Sequence, residues 1–333
     1  MAVLINYKFR SICPRPNRIH LLACVCLIAA MRTTAQETLR AHSEILGPGA
    51  PFSFPEQVAV GPDKDIYFLD TSLSGIFVRD SRTSTVERLC STESLRSPSD
   101  LSVDAQGQLW ILRQNGSKIS RLDRKCGIAG EISLTNLALR IANSSFGELI
   151  VLNETGPSLF ALFSPEGKLL RTFGDRFKYA EEVATNELSD GHIVPDKNGG
   201  FYFSFNYPPL IRHYSRAGRL LDEFKPESDV PIAPPNFTVR TVANSVSVSS
   251  KYQILVLDMA TDDKRRLYLL ISGKNKIPAL SQGTPKLVVS NSKGHILKTV
   301  TLANNYHRVL AGNGMLFLLR NRAPLRLDRY EIF

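Results

Sequence analysis

Short apolar runs, each about three residues long, recur along the chain at irregular but similar intervals. Ile66-Tyr67-Phe68 is followed by Leu109-Trp110-Ile111, Leu149-Ile150-Val151, Phe201-Tyr202-Phe203, Leu267-Tyr268-Leu269 and Leu316-Phe317-Leu318. Branched and aromatic residues in short runs, punctuated by Gly, Asn and Asp, predict strands rather than helices. Ahead of each triplet lies a shorter apolar segment: Val58-Ala59-Val60, Leu101-Ser102-Val103, Leu139-Arg140-Ile141, Ile193-Val194, Ile254 to Leu257 and Val309-Leu310. A third segment follows ("GIFVRD", "KISRLD", "LFALFS", "LIRHYS", "KLVVSN", "LRLDRY"). A fourth comes after a turn, as in "KLLRTF" behind Gly167, "RLLDEF" behind Gly218 and "HILKTV" behind Gly294. No long helical period competes with this pattern.

Six units of three or four strands predict an all-β, six-bladed β-propeller of four-stranded antiparallel blades, in which each sheet buries its faces against its neighbours. A β-sandwich or a solenoid is the alternative arrangement of the same strands. The expected blades lie near 57–92, 98–134, 138–174, 191–225, 246–302 and 306–333, within a single domain spanning 36–333. The sixth unit runs out of sequence at Phe333 before a fourth strand. Open edges invite aggregation, and rings commonly close with a strand from the other terminus. Residues 37–46, "ETLRAHSEIL", are expected to supply that strand.

Two residues before the triplet stands Gly107, Gly147, Gly199 or Gly314 in four units, with Lys64 and Arg265 in the other two. This is the hairpin position where a positive φ is wanted. Asp63 and Asp65, in "VAVGPDKDIYFLD", therefore read as turn residues rather than as a cation loop, whose acids would alternate as D-x-D-x-D-G. The best unit, "VAVGPDKDIYFLDTSLSGIFVRD", resembles the NHL-type repeat, and the resemblance extends over about Pro55 to Phe333. It implies a six-bladed propeller and is silent on activity, since that architecture hosts lyases, lactonases and pure binding modules. It also implies that Asp70, at the end of its strand, ties down the following loop through backbone N–H groups.

The positions equivalent to Asp70 hold Arg113, Asn153, Phe205, Ile271 and Arg320. In a propeller they ring one face near the channel mouth. Asp70, Arg113, Asn153, Phe205 and Arg320 are thus candidate ligand-binding residues, or strand-end residues with no shared ligand. A metal would need two or more histidines or acids to converge. His192 and His307 precede inner strands and Asp100 is placed comparably, so these three are the weak metal candidates. No catalytic residue can be assigned: the chain has no G-x-S-x-G, H-E-x-x-H, C-x-x-C or P-loop.

Charge and cysteines change the picture only at the N-terminus. The net charge is +10, but Lys8, Arg10, Arg15, Arg18 and Arg32 stand unopposed in residues 1–35. The remaining 36 basic and 31 acidic residues are interspersed, which argues against a nucleic-acid partner. A basic segment, the apolar run "LLACVCLIAA" (Leu21 to Ala30) and the small residues Thr33-Thr34-Ala35 follow the order of a secretory signal peptide over 1–35. Ten apolar residues fall short of the ~20 a membrane span requires, so no span is expected; an uncleaved anchor is the alternative. The mature chain keeps Cys90 and Cys126. In an oxidising compartment such a pair could close a disulfide; the repeat alignment puts them at opposite ends of their blades, so two separate thiols are the expectation and the disulfide the alternative. Together these features describe an exported, periplasmic, extracellular or cell-surface monomer. It is expected to bind a protein, peptide or carbohydrate ligand at the channel-mouth face and to need no cofactor. The alternative is a propeller enzyme, a lactonase, hydrolase or lyase, with a metal-assisted site in the channel and a divalent cation as its cofactor.

Overall fold

The computed structural model describes residues 41–45, 55–123, 125–179, 182–226, 235–242, 245–251, 254–272, 285–312, 314–320 and 326–331. Residues 1–35, expected to be a signal segment, and the insertion between Ser272 and Pro285 lie outside them. The chain forms a six-bladed β-propeller of mostly four-stranded antiparallel blades. Blade one comprises Gln57–Val60, Ile66–Asp70, Gly75–Arg79 and Val86–Ser91. Blade two comprises Asp100–Val103, Leu109–Arg113, Lys118–Leu122 and Ile128–Ser133. Blade three comprises Ala138–Asn143, Leu149–Asn153, Phe160–Phe163 and Leu169–Phe173. Blade four comprises Gly191–Pro195, Phe201–Phe205, Ile211–Tyr214 and Leu220–Phe224.

Blade five begins at Val256–Thr261 and continues through Leu267–Ile271, Lys286–Ser290 and Ile296–Thr301. Ser245–Lys251 is not part of it, because it pairs with Asn236–Val242 as a separate hairpin. Blade six contains Tyr306–Gly312, Met315–Arg320 and Arg326–Glu331. The first strand of every blade touches the first strands of the blades before and after it, so the blades follow chain order around a central channel.

The triplets are near-continuously apolar because both of their faces are covered. In blade two, Trp110 and Leu112 pack toward blade three, while Leu109 and Ile111 pack toward blade one. In blade three, Leu149 and Val151 face blade two, and Ile150 and Leu152 face blade four. The period of two is intact, but the two faces belong to two different interfaces. Each of the six apolar clusters lies at one junction between neighbouring blades. The junction of blades three and four is the most aromatic, with Phe160 edge-on to Phe201 and Phe203 at 4.9 and 5.1 Å. Each such buried ring contributes about 1.5–3 kcal/mol relative to exposure. The outermost strands of blades three and four are exposed over almost their whole length, consistent with their place on the rim.

The six hairpins between first and second strands behave alike. Gly107, Gly147, Gly199 and Gly314 have φ between 75° and 81°, and Lys64 and Arg265 adopt the same left-handed region at 72° and 61°. Asp65 accepts a hydrogen bond from the Ser81 N–H at 2.8 Å, and the Asp63 carbonyl accepts one from Ser81 Oγ, so these residues build turns.

One expectation is overturned. Cys90 and Cys126 form a disulfide, with Cα atoms 5.8 Å apart. Their positions within separate blades suggested distance, but blades are twisted and pack face to face. The twist brings the end of the outermost strand of blade one, bearing Cys90, against the turn of blade two that carries Cys126. Both sulfur-bearing residues join the apolar layer between those blades.

Candidate functional site

The six innermost strands enclose a cavity of about 290 Å³ on the propeller axis, lined by Gln57–Val60, Asp100–Val103, Arg140–Asn143, His192–Pro195, Asp258–Thr261 and Arg308–Ala311. At one end, each blade contributes a polar side chain from the same register position. Gln57, Asp100, Arg140, His192, Asp258 and Arg308 stand opposite Leu69, Leu112, Leu152, Ser204, Leu270 and Leu319 of the second strands. In blades three, five and six a β-bulge falls just before the ring residue, with Leu139, Leu257 and His307 as the extra residues. A bulge re-aims the side chain that follows it. Here it brings Arg140, Asp258 and Arg308 into line with the unbulged blades.

The ring residues reach from blade to blade. Asp100 Oδ2 accepts the backbone N–H of Ile141 at 2.7 Å, and Asp258 Oδ2 accepts that of Val309 at 2.7 Å. Both N–H groups belong to the residue just after a ring arginine. His192 Nδ1 lies 3.2 Å from Asp258 Oδ1, and Arg140 Nη2 lies 3.2 Å from Asp190 Oδ2. Arg308 Nη2 donates to the Glu56 carbonyl at 2.5 Å and to Gln57 Oε1 at 3.3 Å, linking blade six to blade one.

These contacts set the electrostatics. Burial pushes Asp100 up to about 6, although Arg140 beside it, the Ile141 N–H and Arg308 all pull the other way. Burial acts in the same sense on Asp258, yet the hydrogen bond and charge of His192, with Arg308 and the Val309 N–H, outweigh it and hold that carboxyl below its ordinary value. Arg140 is held above its ordinary value because Asp190, Asp100 and Asp258 together outweigh its burial.

The residues singled out from the sequence sit one strand further from the axis. Asp70 is fully buried and accepts Ser72 Oγ and the Leu73 N–H at 2.5 and 3.1 Å, the loop-tying role expected of it. Arg113 bonds Ser120 Oγ at 2.6 Å and pairs with Glu131. Asn153 donates to the Ser158 carbonyl at 3.0 Å. Phe205 meets the rings of Phe177 and Phe203 edge-to-face, with the Arg212 guanidinium over its own ring. Ile271 packs into the junction of blades four and five, and Arg320 pairs with the buried Asp328. Each is engaged close to its own blade, and the structure does not bring the six together on the channel.

Asp100 and His192 do reach the channel. His307 does not line it; burial, with Arg308 adding to the effect, lowers its imidazole to about 4. Among the described residues no group of three or more His, Cys, Asp or Glu side chains is placed to hold a metal ion. The two ring carboxylates already hold backbone N–H groups, and guanidinium groups stand beside them. This donor set does not fit a divalent cation.

The ring was open to detection in the sequence. A polar residue precedes the triplet by nine positions in five units and by eight in the sixth. The bulges in three of the six first strands break the alternation that would otherwise mark it.

No protein-family model matches the chain, and no curated protein matches it. Solved structures do. Virginiamycin B lyase from Staphylococcus aureus is 13% identical over 89% of this chain and 100% of its own, with a TM-score of 0.53. A gluconolactonase from Xanthomonas campestris is 15% identical over 87% of this chain and 89% of its own, with a TM-score of 0.56. At such identities the likeness establishes a six-bladed β-propeller and leaves the activity open.

Proposed function

We propose that this protein is an exported binding module that seats a small polar ligand at the mouth of its central channel. The observation carrying this reading is the ring itself: all six blades present a polar or charged residue at one register position, in a fold whose other inward positions are largely apolar. A cavity of about 290 Å³ lies near the lower end of the ~300–1,000 Å³ found for small-ligand sites. The sequence of the blades fits an NHL-type repeat. Export is supported by the signal-like order of residues 1–35 and by the Cys90–Cys126 disulfide, a bond typical of oxidising compartments. Closure of blade six by the N-terminal segment is part of this reading, supported by an antiparallel register that runs from Ala41 opposite Tyr330 to Ile45 opposite Arg326.

The test is a thermal-shift panel of sugars, amino acids, short peptides and organic acids on the purified mature protein, repeated on Arg308→Met. A stabilising ligand whose effect is lost in the variant supports the proposal. Ligands whose shifts all survive the variant place binding elsewhere and overturn it. Export is checked by N-terminal sequencing of protein recovered outside the cytoplasm, which should begin near Gln36; recovery there with Met1 in place contradicts cleavage.

A second reading, a lyase or hydrolase, draws on Asp100 and on the His192–Asp258 pair. A buried carboxyl raised to about 6 and, elsewhere on the same ring, an imidazole hydrogen-bonded to a second carboxyl are the kinds of group found at catalytic centres. Turnover of a channel-bound compound, abolished by Asp100→Asn with binding retained, would favour it.

A further inference from the structure

The order of residues around the ring is not arbitrary. In a six-bladed ring, blades three apart face each other across the axis. Blades two and five carry Asp100 and Asp258, blades three and six carry Arg140 and Arg308, and blades one and four carry Gln57 and His192. Like charges therefore oppose one another, and unlike charges are neighbours. The charges sense each other across the opening: Asp100 is influenced by Arg308 as well as Arg140, and Arg140 by Asp258 as well as Asp190.

Such an arrangement has little attraction for a single charge on the axis, because the two acidic and two basic arms cancel there. It favours a molecule with like charges at its two ends, lying across the channel between opposite arms. The choice between a dication and a dianion follows from what each arm has left to offer. Asp100 and Asp258 are only 4% and 8% exposed, and their carboxylates hold the N–H groups of Ile141 and Val309, with His192 on the second oxygen of Asp258. The arginines are half-buried, and the Arg140 side chain is 29% exposed; it donates one N–H of Nη1 to the Leu139 carbonyl and one of Nη2 to Asp190, which leaves a second N–H on each nitrogen. Arg308 uses only Nη2 in its bonds among the described residues. A guanidinium fork with unused donors is suited to take a carboxylate through two parallel hydrogen bonds.

We infer that the ring binds a small organic dianion, a compact frame bearing two carboxylates, with one end on Arg140 and the other on Arg308. This rests on the proposed binding role of the channel mouth and specifies its ligand. Toward the interior the channel is lined by Ala59, Ser102, Ala142, Val194 and Ala260, side chains that leave the ligand body little beyond van der Waals contact.

The experiment is isothermal titration of the mature protein at low ionic strength with the straight-chain dicarboxylates from malonate to adipate. Butyrate and 1,4-diaminobutane serve as the monoanion and dication. Affinity should peak at one chain length, and butyrate should bind at least tenfold more weakly than the best dicarboxylate. Arg140→Met and Arg308→Met should each weaken that dicarboxylate tenfold or more, with Arg308→Lys between. Melting temperatures identify any variant that fails to fold, and the wild-type comparison of dicarboxylate with butyrate and diamine stands without the variants. Butyrate binding as tightly as every dicarboxylate overturns the inference, as does preference for the diamine or an absence of dicarboxylate binding. If a neutral sugar binds instead and is lost in Arg308→Met, the dianion is refuted while the binding role survives. If no compound engages the ring, both fail.

Discussion

The disulfide is expected to be a major support of the junction between blades one and two, and its contribution can be worked from the chain. Cys90 and Cys126 are 36 residues apart. Closing a loop of that length in the unfolded chain removes entropy worth about 4 kcal/mol at 25 °C. Unfolding entropy near 2.1 cal/mol/K per residue over about 290 residues is about 0.6 kcal/mol/K, so the lost bond should lower the melting temperature by about 6 °C. The assay is a calorimetric or circular-dichroism melt of the native protein with and without a thiol reductant, which leaves every atom but the bond in place. The Cys90→Ala/Cys126→Ala double variant should melt slightly lower still, because Cys90 is only 4% exposed and its sulfur fills space in the apolar layer. A reductant that moves the melt by less than 1 °C would refute the reasoning. So would quantitative labelling of both thiols in the native, unreduced protein.

Two further outcomes follow from the ring and the turns. Asp100 is raised to about 6 in the folded state, so the folded protein binds its proton more tightly than the unfolded chain does, and this group's contribution to stability grows as pH falls from above 6 toward 4. Asp100→Asn, whose amide oxygen can still accept the Ile141 N–H, should therefore stabilise the protein at pH 8 by an amount on the order of 3 kcal/mol and have little effect at pH 4; urea denaturation showing a loss at pH 8 would contradict this. Lys64 occupies a left-handed turn at φ 72° where four equivalent positions hold glycine. Lys64→Gly should raise the urea midpoint by the equivalent of up to about 1 kcal/mol, the strain relieved exceeding the entropy that glycine adds to the unfolded chain; a lowered midpoint would count against the turn assignment.

The architecture was legible because propeller blades impose the same local demands six times. Apolar triplets such as Phe201-Tyr202-Phe203 need both faces covered, and the hairpin before each triplet needs a left-handed residue, so both features recur at fixed offsets even where Lys64 and Arg265 replace glycine. The site was less legible because its signal lies in short strands, three of which carry a bulge. An extra residue such as His307 disrupts simple alternation, and His307 consequently looked like a channel residue when its neighbour Arg308 is the one that lines the cavity. The strand ends carrying Arg113, Asn153 and Arg320 are polar for a different reason, since each secures a hydrogen bond within its own blade. The sequence left the disulfide open for a third reason, because it depends on blade twist, which no spacing of cysteines reports.

The central claim is that the ligand lies against opposite arms of the ring. It is tested most directly by following the side-chain Nε–H resonances of the arginines by NMR while the best-binding dicarboxylate is added, with Arg140→Met and Arg308→Met providing the assignments. The account predicts that the Arg140 and Arg308 resonances shift together, saturate at one equivalent, and follow the same binding curve. Saturable binding that leaves both resonances unmoved, or moves one alone, would contradict it.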